Sequence, residues 1–532
     1  MAFAQAERPR VVRPRKLLIV DGYNDEPGGL GVPPYIDVYA RYMAGAVFDV
    51  DKAAKAHYIT IDELRKRPNP AQLLRLYEAI IFIAGVVVPG KYIGGRPATA
   101  EELASIASSL EGPLKVLVGP AARWGMGPEG GSAGYPPSFF KAHGFDVLVT
   151  GDPEEYVYDL VKYGEEAASP RAIREDYSKV NRFAVLGASI VRFHPNFGKN
   201  LIAEIETYRG CARWVSGGCS FCVEPLRGRP IARDPMAIVE EVRALYEVGV
   251  RNFRLGRQAD ILVYNSSQLG SEEWPRPSPQ ELERLFHGIR TEAPNLEVLH
   301  IDNVNPGTIA RYPEESTEAL KVIVKYHTPG DVAALGVESV DPQVVKLNNL
   351  KVTADEALKA IEIINRVGAS RGYNGLPELL PGINFILGLP GERRESYRLN
   401  REFLEEILRR KLLVRRVNVR KILALPTTRV YNMRWGISGK LEAEAKSFTY
   451  FVRHVFDRTE LSWVAPKDTI MKSLWVEECE LGYCYARQVG SYPLMVMIRG
   501  SYPRLQYIDA VRVERVHSAR AVEGSVTQTE PG

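Results

Sequence analysis

Three of the chain's five cysteines, Cys211, Cys219 and Cys222, fall within twelve residues of one another in RGCARWVSGGCSFCVEP at 209–225. They follow a strand-like run, in a loop made pliable by Gly210, Gly217 and Gly218, so three thiolates can converge on one inorganic centre. That convergence constrains the fold: the loop must leave the carboxyl end of a strand and be walled in by other elements. Three thiolates are one ligand short of a closed tetrahedral site, and on a four-iron cluster they leave one iron open. A structural zinc ion is the competing occupant, with Cys219 to Cys222 at ordinary CxxC spacing, but it calls for a fourth protein ligand. The nearest histidine upstream is His194.

Five cysteines in 532 residues are too few for a disulfide scaffold, and the clustered three fit a reducing interior. The length predicts two or three domains. A charged share of 25% and a net charge of +4 describe an ordinary soluble protein, and they allow contact with nucleic acid without arguing for it. Arg8, Arg10, Arg13, Arg15 and Lys16 precede an apolar run at Leu17–Val20 too short for a signal peptide, and Ala79–Pro89 is too short to span a bilayer. The expected location is cytoplasmic, with no membrane partner.

The first 195 residues alternate buried strands (Leu17–Val20, Ala79–Val88, Leu114–Val118, Val147–Val149) with helical patterns (Asp37–Ala44, Thr99–Leu110, Pro153–Tyr163), predicting a Rossmann-like open sheet over 1–195. Its strand-end loops, 23–35, 90–96 and 121–136, carry Gly28-Gly29, Gly94-Gly95 and Gly130-Gly131. Without a full dinucleotide fingerprint, these glycines read as turn residues. A second series of strands, Leu201–Thr207, Asn252–Leu255, Leu296–Ile301, Val332–Val337, Gly382–Leu387 and Arg415–Leu425, alternates with helices and predicts a partial or complete β/α barrel over 196–430. From 431 to 532, a helical stretch at Leu441–Phe456 and four short strands predict a small β-rich domain, with a loose acidic end at 523–532.

The segments GCARWVSGGCSFCVEPLRGRP at 210–230, IVEEVRALYEVGV at 238–250, FRLGRQ at 253–258, ALGVESVDPQVVKLNN at 334–349 and INFILGLPGERRES at 383–396 resemble, in order and spacing, the catalytic region of radical S-adenosylmethionine (SAM) enzymes. Within that superfamily they are most similar to methylthiotransferases. The tail, GYCYARQVGSYPLMVMIRG at 482–500, resembles an uncharacterised archaeal branch. The gap between Cys211 and Cys219 is seven residues, longer than the family's usual three. The resemblance implies a 4Fe-4S cluster on Cys211, Cys219 and Cys222, with SAM on the open iron, a reducing electron donor, and transferase chemistry started by an adenosyl radical. It implies that Phe221 packs beside SAM and that Gly256, Arg257 and Gln258 receive its methionine portion. Glu338 and Ser339 would contact ribose or methionine, and Ile386, Gly388 and Gly391 would approach adenine. Arg227, Gly228, Arg229 and Arg233 look like the RG-rich stretch of methylthiotransferases, and Glu204 and Glu206 share one strand face.

One departure bears on the reaction. Methylthiotransferases use further cysteines in an N-terminal domain for a second cluster, and here no cysteine precedes Cys211. Cys479 and Cys484 supply only two more thiols; packing is the default reading for them, with a disulfide or an intersubunit ligand left open. The resemblance points to an RNA nucleotide as substrate. The alternatives are radical methylation of a peptide or small molecule with cobalamin, for which the usual histidine motif is absent after Val20, and a non-catalytic zinc or Fe-S nucleic-acid-binding protein. Oligomeric state is not legible.

Overall fold

The computed structural model describes residues 13–24, 32–86 and 94–527. Gly28-Gly29, the start of the 90–96 loop, Val87-Val88 and residues 528–532 lie outside the described residues. The chain divides into two compact units. One reaches to Phe197 and takes in Ala244–Gly249 and Leu425–Thr427; the other comprises Gly198–Arg243, Val250–Ala424 and Thr428 onward. No helix among the described residues is long and apolar enough to cross a membrane.

The first unit is built on strands β1 (Lys16–Asp21), β3 (Lys55–Thr60), β4 (Ala79–Ile83), β5 (Leu114–Val118) and β6 (Val147–Leu148); a two-residue strand, β2, lies at Tyr35–Ile36. The five form a parallel sheet in the order β3-β1-β4-β5-β6. Every residue of β4 is buried, as is β1 after Lys16, which is why they read as unbroken apolar runs. Helices start where a side chain can satisfy their open N–H groups: Asp37 accepts from Tyr39 N ahead of Val38–Val50, and Thr99 from Glu102 N ahead of Ala100–Ser109. β3 is a strand that the sequence reading missed. It is the sheet edge, and in KAHYIT Lys55 is exposed and His57 half-buried, so it lacks the apolar continuity of β1 and β4. The helix Val38–Val50 packs closely on Ser178–Leu186: a Cβ on Gly45 would lie 1.9 Å from the Phe183 carbonyl oxygen, so only glycine fits there.

In the second unit, β7 (Ile202–Gly210), β9 (Asn252–Gln258), β10 (Val298–Ile301), β11 (Asn303–Val304), β12 (Asp331–Glu338), β13 (Leu379–Leu387) and β14 (Arg416–Lys421) follow one another in parallel. The short β8 (Ile231–Ala232) runs antiparallel beside β7. β10 and β11 are one run broken at Asp302, whose carbonyl accepts from Ala334 N. The six strand positions therefore curve as a partial barrel, with β7 and β14 unpaired with each other among the described residues. Helices Pro235–Val248, Pro279–Glu292, Pro313–Tyr326, Ala354–Gly368 and Arg394–Arg409 separate successive strands.

The tail begins with helices Glu442–Phe451 and Asp457–Val464, joined by a π-turn, and closes a five-stranded barrel of β15 (Ile470–Glu480), β16 (Tyr483–Gln488), β17 (Met495–Arg499), β18 (Tyr507–Val516) and β19 (Ala521–Val526). β19 corrects the expectation of a loose acidic end: Glu523 is buried and accepts two hydrogen bonds from Arg515, at 2.8 and 2.5 Å. The default reading of Cys479 and Cys484 as packing residues is corrected too. They face each other across β15 and β16 and are joined as a disulfide.

Candidate functional site

The cysteine loop leaves the carboxyl end of β7. Gly210 (φ 96°) turns the chain, Ala212–Ser216 makes one turn of 3-10 helix, and Gly217 (φ 80°) and Gly218 (φ 60°) return it to Cys219. That extra helical turn fills the seven-residue gap. A Cβ on Gly218 would strike Pro225 Cγ at 2.3 Å, so the return needs glycine for space as well as for φ. The loop is clamped from the end of helix Pro342–Asn348: Ser220 Oγ donates to Asn348 Oδ1 at 2.7 Å, and Asn349 Nδ2 to the Gly218 carbonyl at 3.0 Å. Arg429 adds a second bond to that carbonyl at 2.6 Å.

The thiols lie in one another's field. Burial pushes Cys211 up to about 11, and neighbouring Cys219 adds to the rise; Cys222 is raised by burial, then by Cys219, Glu224 and Cys211. Two cations answer this charge. Arg213 points Nη1 at Cys219 Sγ from 3.5 Å while bonding the Asn349 carbonyl and amide oxygens at 2.9 and 2.8 Å. Lys351 is pulled down by burial, but the fields of Cys219, Glu338, Cys211 and Cys222 carry it above its ordinary value. Among the described residues, no group of three or more His, Cys, Asp or Glu side chains is placed to hold a single metal ion. His194, the nearest candidate for a fourth ligand, is a buried residue of the first unit whose Nδ1 accepts from Asn196 N at 3.1 Å.

Of the residues expected around SAM, several meet the cysteines. Phe221 and Ile386 pack in one apolar cluster with Cys219, Cys222, Leu389 and Ile422. Glu338 ends β12 in a left-handed conformation (φ 69°), and its buried Oε2 has no hydrogen-bond partner. Burial raises its carboxyl to about 7 against the lowering pull of Lys351 and Arg420. Arg257 also has φ 67°, at the end of β9, and its Nε is 3.8 Å from Glu206 Oε2. Strain at two strand ends beside one loop is the kind of backbone cost that clusters at functional sites.

Others are occupied by the fold. Gly256 makes room for a neighbour, since a Cβ there would lie 2.2 Å from Glu204 Oε1. The Gln258 amide accepts from Thr207 Oγ1 at 3.2 Å and donates to the Leu255 carbonyl at 3.1 Å. Ser339 Oγ accepts from Asp341 N at 3.3 Å. Gly388 (φ 87°) donates to Glu392 and accepts from Gly436 N, both at 2.8 Å, while Gly391 (φ 88°) lies against Leu347. In the RG stretch, Arg227 pairs with Glu224 at 3.1 Å, and Arg233 is sealed in a fully buried ion pair with Glu241 at 2.6 Å. The sequence reading missed Arg213 and Lys351; Lys351, thirteen positions past Glu338, reaches the cysteines only through the tertiary fold.

A family model described as the radical SAM superfamily matches residues 205–404. An uncharacterised protein of Methanocaldococcus jannaschii is 43% identical over 520 residues, covering 96% of this chain and 93% of that one. The ribosomal protein uS12 methylthiotransferase RimO of Clostridioides difficile is 26% identical over 210 residues, 39% of this chain and 40% of its own. Among solved structures, the radical SAM methyltransferase TsrM from Kitasatospora setae, with cobalamin and a 4Fe-4S cluster bound, aligns at a TM-score of 0.47 and 13% identity over 78% of this chain and 74% of that one.

Proposed function

The chain belongs to the radical SAM superfamily and is an enzyme of that class, and from that premise we propose that Cys211, Cys219 and Cys222 hold its 4Fe-4S cluster at the mouth of the partial barrel, where SAM and a substrate meet. The observation that carries this reading is the packing of Cys219, Cys222 and Phe221 with Ile386, Leu389 and Ile422 at the strand ends, on the loop that also holds Cys211. When bound, cluster and SAM supply one-electron cleavage of a carbon–sulfur bond and hence a 5'-deoxyadenosyl radical. The protein's own residues do the rest. Lys351 offers an ammonium suited to a carboxylate, and Glu338, whose Oε2 lacks a donor, suits an amine or hydroxyl. Phe221, Ile386, Leu389 and Ile422 supply an apolar wall that excludes water.

For the substrate we favour an RNA nucleotide, supported by the likeness of the central region to methylthiotransferases. Since no cysteine precedes Cys211, a sulfur-donating second cluster in the first unit would find no cysteine ligands there. Cobalamin-assisted methylation stands as the other reading, with no histidine in residues 21–35 to ligate the cobalt.

Anaerobic reconstitution tests the proposal. The expected result is four irons per chain and reductant-dependent release of 5'-deoxyadenosine, both abolished in Cys219→Ala. Stoichiometric zinc without SAM cleavage would refute it. Label from methyl-labelled SAM is expected in the RNA fraction of a cell extract, and label confined to protein or metabolites would overturn the substrate assignment.

A further inference from the structure

Beta/alpha barrels are ordinarily filled by branched apolar side chains. Here the inward-facing series is different: Gly382, Asn384 and Ile386 on β13 stand opposite Arg416, Asn418 and Arg420 on β14, with Ala334 and Gly336 of β12 on the first two rungs and Glu338 following after a register shift. Two-residue alternation puts each set on one face, and Ile386, opposite Arg420, identifies that face as the one beside Cys222 and Phe221. Asn418 Nδ2 donates to Asn384 Oδ1 at 2.9 Å and holds the middle rung. From Arg420 to Arg416 the wall descends about 13 Å at 3.3 Å per residue.

The floor is supplied by the loop between β16 and β17. Ser491 N donates to His300 Nδ1 at 3.0 Å and Ser491 Oγ to the Ile301 carbonyl at 3.1 Å, which carries Tyr492 under the barrel. Tyr492 lies in the field of Asp302 and Arg254 on one side and of Arg416 and Arg420 on the other. The Arg416 guanidinium sits over its ring, 4.5 Å from the centroid.

The charges on this chamber are unevenly matched. Arg254 is balanced by Glu204 and Asp302, Arg257 faces Glu206, and Lys351 and Arg420 share Glu338. Arg416 stands among Arg520, Arg415 and Arg420, all of like sign, and its Nε is a buried donor without a hydrogen-bond partner. The carboxylate that feels its charge, Asp457, is shared with Arg520 and Arg415. Yet the wall is reachable, with Arg416 and Asn418 half-buried and Arg420 exposed. Holding a guanidinium inside surroundings with an excess of its own sign costs stability unless an anion arrives, and its planar fork matches phosphate and carboxylate oxygens.

We propose that the substrate of this barrel carries an oxyanionic group, phosphate or carboxylate, received between the cluster loop and Tyr492 by Arg416, with Arg420 above it and the Asn384–Asn418 pair fixing its orientation. This rests on the radical SAM reading of the same site and adds the chemical class of what enters it. An anion held on the β14 wall leaves the substrate's neutral part beneath the cluster loop, where hydrogen abstraction would occur.

The test is isothermal titration of the reconstituted, SAM-saturated full chain with inorganic phosphate and, separately, with malonate, at ionic strength fixed with chloride. At least one anion is expected to bind one site per chain with a millimolar or tighter Kd. Arg416→Gln should weaken it at least tenfold, whereas Arg504→Gln, an exposed arginine of the tail, should not change it. Arg416→Lys keeps the charge but loses the fork; its expected severalfold loss provides the reading if the glutamine variant does not fold. Binding of phosphate alone assigns a phosphorylated substrate, malonate alone a carboxylate, and both the shared oxyanion chemistry. Failure of both anions to bind wild-type protein, or equal binding by wild type and the Arg416 variants, overturns the proposal. SAM cleavage, measured in parallel without anion, separates the two readings: cleavage with no anion site sinks only this inference, and an anion site without cleavage sinks only the enzymatic one.

Discussion

Replacing Arg254 with methionine should be among the most damaging single changes to the second unit. Its guanidinium is fully buried, giving Nη1 to Glu204 Oε1 at 2.7 Å and Nη2 to Asp302 Oδ1 at 2.5 Å, and all three side chains are at most 2% exposed. The variant leaves two carboxylates facing each other inside the barrel without their shared cation. Removing one partner of a buried ion pair costs about 3–5 kcal/mol. With a urea slope near 3 kcal/mol/M, the unfolding midpoint should fall by roughly 1–2 M. Adding Glu204→Gln and Asp302→Asn to the same chain removes the stranded charges and should restore more than half of the loss. Urea unfolding followed by far-ultraviolet circular dichroism checks both variants, with iron content as a separate readout of the cysteine loop. A loss below about 1 kcal/mol for Arg254→Met, or a triple variant no more stable than the single one, would refute the argument that the cation's work is neutralisation.

Two further outcomes follow from other buried groups. His327 is held between Asp331 at 3.1 Å and Glu378 at 3.3 Å; burial lowers its pKa, but the two carboxylates carry it above the ordinary 6.5. Its stabilising contribution is therefore complete below pH 6.5 and is lost as pH rises through the folded-state value, each tenfold gain in proton affinity on folding being worth about 1.4 kcal/mol. Neighbouring His300 is lowered by burial and is neutral in that window, so a decline in urea midpoint from pH 6.5 to 8.5 should vanish in His327→Gln; a decline that persists would count against the assignment. At the cysteine loop, Arg213→Gln removes a cationic donor 3.5 Å from Cys219 Sγ. Because reduction adds negative charge to the cluster, its midpoint potential should fall by tens of millivolts, about 59 mV being a tenfold change for one electron; an unchanged potential in an EPR-monitored titration would show that the contact does not reach the iron centre.

What could be read from the sequence was whatever is fixed locally. Buried parallel strands such as β4 are apolar at every position, and the cysteine loop announces itself because ligand spacing and glycine turns lie within one segment. Edge positions and buried charges were harder. β3 carries Lys55 and His57 on an edge, and β19 contains a glutamate that looks like tail composition until Arg515 covers it. The site's cations were invisible because they come from distant segments: Lys351 lies in the connection after Pro342–Asn348, while Arg416 and Arg420 owe their shared face to the register of β14 on β13. Gly256 has a packing reason that FRLGRQ does not reveal, since the missing side chain lets Glu204 reach Arg254.

The Ser491–Tyr492 anchor gives the order of synthesis a chemical meaning. Ser491 and Tyr492, which anchor on β10, leave the ribosome some 270 positions after Cys222. A nascent or prematurely terminated chain could thus carry all three cysteines of the loop and still lack the base against which a substrate would be held. On the proposed reading, the late barrel would tie containment of the substrate to completion of the polypeptide.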